Sequence, residues 1–197
     1  MNQNKNKVLF DNNPCNVSLK KRVVAYIIDW LLGALLMMLP MWIVWLNNQG
    51  NAKLLNVVNV YTIAVEMSYM DAYVAGTLGL ACAIFYYVII PWRFFKGQTI
   101  GKKIMGFRMV KMNDTDVDLK TLILRQVVGI ILLESVLYNA SLLWESLISL
   151  IINYNISVFC MFAGFLISIC SCIIALFYQS HRMIHDYIAN TKVVLKH

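Results

Sequence analysis

Charge is scarce in this chain: only 14% of its 197 residues are Asp, Glu, Lys or Arg, against about 25% in an average soluble domain. With 60% of the residues hydrophobic, that shortage excludes an ordinary water-soluble globule. Glycine and proline are also few, at 9 and 3, so neither a fibrous repeat nor a flexible linker divides the chain, and residues 1–197 read as a single domain. The five cysteines, Cys15, Cys82, Cys160, Cys170 and Cys172, contain no C-x-x-C pair. That pattern speaks against a disulfide framework and a thiolate metal site, and the cysteines read as small packing residues.

What the chain has in excess is long apolar runs. Four approach the roughly 20 residues that a helix needs to cross a bilayer. They lie at about 23–46, 73–92, 126–144 and 156–178, and the first contains Asp29 and a kinking Pro40. The third contains Glu134 and merges into a further apolar stretch, ESLISLIINYN. The expected fold is an all-α membrane protein of four transmembrane helices.

Basic residues set the orientation, because positively charged flanks stay in the cytoplasm. Lys20, Lys21 and Arg22 precede the first run, eight Lys or Arg from Arg93 to Arg125 lie between the second and third, and Arg182, Lys192 and Lys196 follow the fourth. Both termini and the middle loop are therefore expected to be cytoplasmic. The segment 47–72 is apolar in part, but Asn56, Asn59, Glu66 and Asp71 interrupt it, so an interfacial helix or a packed outer loop is expected there. The first run is too long for a cleaved signal peptide. A net charge of +7 without a nucleic-acid-binding motif points to anionic lipid headgroups as partners rather than to nucleic acid.

An ionisable side chain near the bilayer centre costs about 2.5 to 3.5 kcal/mol on insertion scales, so each one is a candidate site residue. Asp29 leads. Arg22 lies two helical turns before it on nearly the same face, roughly 10 Å away, so a third group is needed to connect them. The tail SHRMIHDYIANTKVV offers Asp186 for that role and places His181, Arg182 and His185 beside the membrane. His181 and His185 are spaced for one helix face, but no third strong ligand accompanies them, and no metal is expected. Arg125 and Glu134 are nine residues apart, on opposite faces of an α-helix, so they are not expected to serve each other.

The middle loop contains KGQTIGKK, which invites comparison with the phosphate-cradling G-x-x-x-x-G-K-[ST] motif. Only three residues separate Gly97 from Gly101, and Lys103 stands where a hydroxyl must reach magnesium, so no nucleotide or other cofactor is expected. Phe107 to Lys111 and Thr191 to Leu195 are both β-like, and their pairing would tie the 104–112 loop to the tail. No catalytic arrangement is recognisable, and an enzyme is not expected.

Arg22 and Asp29, GQTIGKK with FRMVK, Arg125, and HDYIANTKVV together resemble the RDD family of bacterial membrane proteins over nearly the whole chain. The resemblance implies a multi-pass protein of the bacterial plasma membrane, and carries the family's arginine and two aspartates to Arg22, Asp29 and Asp186. It also implies transport of a small ion or molecule. The family pattern does not include the long 47–72 segment or Glu134. The expected centre is an ionic network of Arg22, Asp29 and Asp186, with Arg125, Glu134, His181 and His185 as secondary candidates. Such a network can serve a transporter or exchanger working as a homo-oligomer. It can equally fix helix register in an accessory, partner-binding or toxin-immunity protein bound to another membrane protein.

Overall fold

The computed structural model describes residues 15–49, 60–135 and 139–196. Helix α1, Leu19–Gln49, shows the sorting that governs the whole molecule. Val23, Ile27, Leu31, Leu35, Leu39 and Ile43 are exposed, whereas Ala25, Asp29, Gly33, Met37, Met41 and Trp45 are buried. The two stripes each repeat every four residues and lie two residues apart, which places them on opposite sides of the helix. Large aliphatics outside, with Ala25, Asp29 and Gly33 inside over the first half of the helix, is the reverse of a soluble helix and fits a lipid solvent.

Helix α2, Val60–Glu66, packs through buried Val60 and Ile63 on α3, Tyr69–Ile84. The part of the 47–72 segment at 50–59 lies outside the described residues. Ala72, Ala75, Gly76, Gly79 and Ala83 form the buried face of α3 and let α1 and the later α6 approach closely. A Cβ on Gly76 would sit 2.6 Å from Leu147, and one on Gly79 would sit 3.1 Å from the Met37 carbonyl. From Phe85 to Phe94 the helix continues with π winding through Pro91. A short helix α4, Ile100–Ile104, then leads to strand β1, Phe107–Lys111.

Helix α5, Leu119–Leu122, runs directly into a second π segment, Ile123–Leu133. Here the structure departs from the expectation of one continuous span over 126–144. Glu134 leaves helical geometry at φ −90° and ψ 43°, and α6 occupies Asn139–Ile152. Three helices, Leu19–Asn47, Tyr69–Phe94 and Ser157–Phe177, are long and apolar enough to cross a membrane, and α6 is a shorter apolar helix. The interruption coincides with Glu134, whose carboxylate is held by groups outside its own helix (below).

Helix α7, Ser157–Phe177, buries a small face of Gly164, Ser168, Ser171 and Ala175. The tail forms α8, Ile184–Ile188, and β2, Thr191–Leu195. The expected pairing is present: β1 and β2 are antiparallel, from Phe107 opposite Leu195 to Lys111 opposite Thr191. Phe107, Met109 and Val193 from this hairpin pack with Val17, Ala25, Val88 and Leu122, so the sheet closes one end of the helical bundle.

Candidate functional site

At the sheet end of the bundle the 97–103 loop folds around Asp29. Gly97 has φ 85°, a region that favours glycine, and its N–H donates to the Pro91 carbonyl at 2.7 Å while its carbonyl accepts from Met109 N at 2.8 Å. Buried Gln98 donates to the Phe107 carbonyl, which fixes the loop to β1. The loop then delivers the donors. Gly101 N–H reaches Asp29 Oδ1 at 2.8 Å, the Thr99 hydroxyl donates to Oδ2, and Lys102 Nζ stands 3.5 Å from Oδ2. Tyr86 from the first π segment adds its hydroxyl to Oδ1 at 2.9 Å. Asp29 is fully buried and its carboxylate is satisfied on both oxygens. A Cβ on Gly101 would stand 2.9 Å from the Asp29 carboxyl carbon, which explains the second glycine of the motif. The likeness to a phosphate loop therefore has a physical basis: a glycine N–H, a hydroxyl and a lysine do cradle an anion here, and the anion is the protein's own Asp29.

Asp186, the second expected aspartate, has a different partner. Arg125 Nη2 and Nε lie 2.7 and 2.9 Å from its Oδ1, Thr191 donates to the same oxygen at 3.1 Å, and Met183 N–H reaches Oδ2 at 3.3 Å. Burial pushes the Asp186 carboxyl up, but the guanidinium groups of Arg125 and Arg22 outweigh it and hold the group well below the usual carboxylate range. Arg182 secures the surrounding turn by donating to the Thr191 and Asp186 carbonyls and covering the Tyr187 ring.

Arg125 also opens a second chain of contacts. Its Nη2 lies 3.2 Å from His185 Nε2, and His185 Nδ1 lies 2.8 Å from Glu134 Oε2. A guanidinium only donates, so Nε2 accepts and the proton sits on Nδ1, directed at Glu134. Ser171 donates to Glu134 Oε1 at 2.6 Å, and His185 N–H adds 3.2 Å to the same atom. Arg125 and Glu134 thus share one histidine, against the expectation that they face apart. The reason is the π winding: i→i+5 bonding adds close to one residue per turn, so nine residues make roughly two turns instead of two and a half. Gly129, midway between them, leaves room for α8, since a Cβ there would fall 2.6 Å from His185 Cβ.

The expected trio is not formed. Arg22 donates from Nη1 to the His181 carbonyl and bonds neither aspartate; Lys102 is the cation at Asp29, and Arg125 the one at Asp186. His181 places its Nδ1 2.7 Å from the Ala175 carbonyl and adopts a φ of 48°, which turns its own carbonyl toward Arg22. Arg22, Lys102, Arg125, His181, His185 and Asp186 all line one cavity of about 350 Å³ between α1, α4, the second π segment, α7 and α8. Burial lowers the Lys102 pKa, with Asp29 opposing the shift.

Sequence reading missed the residues that answer Asp29. Thr99, Gly101 and Lys102 were legible as a failed nucleotide motif and as part of the GQTIGKK family motif, without a link to Asp29, and Tyr86 as part of a charge-free span. It also passed over Glu145 within an apolar run. Glu145 is fully buried, and its carboxylate has no hydrogen-bond partner among the described residues.

Residues 17–190 match the family model described as RDD family. Neither a curated protein nor a solved structure matches the chain.

Proposed function

The chain belongs to the RDD family, and from that membership and the geometry above we propose that it is a multi-pass transporter or exchanger of a small ion or molecule. It is non-enzymatic, and it works through the cavity at the sheet end. One observation carries this reading: a buried carboxylate–imidazole pair, Glu134 and His185, stands where a helix is interrupted and beside a cavity. Discontinuous helices with ionisable groups at the break are a recurring way to build a binding site inside a membrane. Asp29, held by three hydrogen-bond donors and the Lys102 ammonium, serves in this reading as the anchor of the 97–103 loop, and the Glu134–His185 pair is the group that exchanges a proton.

The same reading takes the interrupted unit of α5, its π segment and α6 as the fourth crossing, with both termini and the sheet in the cytoplasm. The concentration of basic residues at that end supports it. The test is proton movement in proteoliposomes carrying wild type or Glu134→Gln under imposed salt gradients, with size-exclusion profiles as the folding control. Flux in wild type that falls at least tenfold in the variant is the expected result. Equal flux in both, or none in either, refutes transport by this pair.

A second reading, an accessory or immunity protein that binds a membrane partner, draws support from α2, which is packed firmly onto α3 and α6. Such a role predicts that changes in the 47–72 segment alter the cellular phenotype while Glu134→Gln does not.

A further inference from the structure

Hydrogen-bond capacity around the cavity is unbalanced. Arg22 carries five N–H donors and, among the described residues, gives one side-chain bond, to the His181 carbonyl. The nearby acids among the described residues spend their hydrogen bonds elsewhere, Asp29 on Tyr86, Thr99 and Gly101 beside Lys102, and Asp186 on Arg125, Thr191 and the Met183 N–H, so Asp186 meets Arg22 through charge alone. Acceptors are therefore filled while cationic donors remain, so the cavity suits an oxyanion.

The rest of the wall says what that oxyanion is attached to. Besides the charged groups, the cavity is bounded by Leu19, Val23, Tyr26, Ile130 and Leu176. Its volume of about 350 Å³ has room for about a dozen waters, far more than an inorganic anion displaces. Water spread over such a wall is unfavourable, whereas an apolar chain is at home there. Two wall residues also belong to the lipid-facing surface, Val23 at 55% and Leu176 at 66% exposure. Helix α7 packs on α6 and the second π segment, and the exposed Val23 and Leu176 mark the opening of the cavity between α1 and α7. Lys20 and Lys21, exposed on the first turn of α1, add positive charge beside this opening.

We propose that the cavity binds the phosphate headgroup of an anionic amphiphile, which enters from the bilayer between α1 and α7, with Arg22 as its principal contact and its apolar chain along Val23 and Leu176. This names a ligand class for the cavity used in the transport reading, but the binding stands without flux.

The experiment uses the full chain in mild detergent and follows its thermal unfolding with added phosphatidylglycerol, phosphatidylcholine or inorganic phosphate. At ten times Kd, phosphatidylglycerol is expected to raise Tm by about 3–6 °C, with clearly smaller shifts from the other two. Arg22→Gln removes the headgroup contact, and Leu176→Trp obstructs the opening while leaving every charge in place. Each is expected to abolish the phosphatidylglycerol shift, and the second decides the matter if the first does not fold. Equal shifts from both lipids, or a shift that survives Leu176→Trp, would indicate only general lipid contact and overturn the proposal. A full shift from inorganic phosphate alone would assign the site to a free oxyanion and equally overturn it. Binding without flux refutes only transport, and flux without binding refutes only this assignment.

Discussion

Asp29→Asn probes the anion cradle with almost no change in shape. The carboxylate accepts from Gly101 N–H at 2.8 Å and Tyr86 at 2.9 Å through Oδ1 and from Thr99 through Oδ2, beside which the Lys102 ammonium stands at 3.5 Å. An amide satisfies at most one of these two oxygen positions as an acceptor. Its NH2 group then confronts either the Thr99 hydroxyl and the Lys102 ammonium or the Gly101 N–H and the Tyr86 hydroxyl. Removing one member of a buried ion pair costs about 3–5 kcal/mol. Lys102 retains 12% side-chain exposure and regains some hydration, so the low end, about 3 kcal/mol, applies here. For a chain of this length that corresponds to a fall in Tm of about 6–12 °C. Thermal unfolding in detergent, followed by far-ultraviolet circular dichroism, measures it. Pairing the change with Lys102→Met removes the stranded cation and is expected to restore part of the loss, giving a coupling energy in a double-mutant cycle. A Tm for Asp29→Asn within about a degree of wild type would refute the idea that the 97–103 loop is held by a charge.

Two further outcomes test the other half of the site. Gly129→Ala places a Cβ 2.6 Å from His185 Cβ, so α8 must shift. A loss of about 2 kcal/mol in stability and faster proteolysis at the tail are expected, and an unchanged digestion pattern counts against the close seat of α8. The carboxyl of Asp186 is held below its ordinary value, so the unfolded chain takes up its proton at higher pH than the native protein does. Its contribution is complete above about pH 4 to 5 and is lost as pH falls through the carboxylate range. Arg125→Gln is therefore expected to lower Tm most near neutrality, with the gap to wild type narrowing toward pH 3. A gap of the same size at both pH values would show that the pair acts through packing alone.

Much of the architecture was legible in local pattern. The apolar runs at about 23–46, 73–92 and 156–178 correspond to the three helices long enough to cross a membrane, and the β-like runs at 107–111 and 191–195 were matched because each is short, alternating and bounded by turn residues. The break at Glu134 was not, because apolar residues continue past it and hydrophobicity does not report where a backbone changes its winding. Nor does composition announce π winding, and an α-helical wheel consequently set Arg125 and Glu134 on opposite faces.

That Asp29 and Glu134 are withdrawn from water, and so require answers, follows from the order of residues alone, since an ionisable group among apolar neighbours has few alternatives, whereas the burial of Asp186 in a polar tail emerged only with the fold. Which groups answer them was settled only when the chain folded. Thr99 and Gly101 come to Asp29 from 70 and 72 residues away, Arg125 to Asp186 from 61, and His185 to Glu134 from 51. Pairing over such distances depends on how helices cross and on a backbone spiral widened by an extra residue per turn, and no local window of residues contains either.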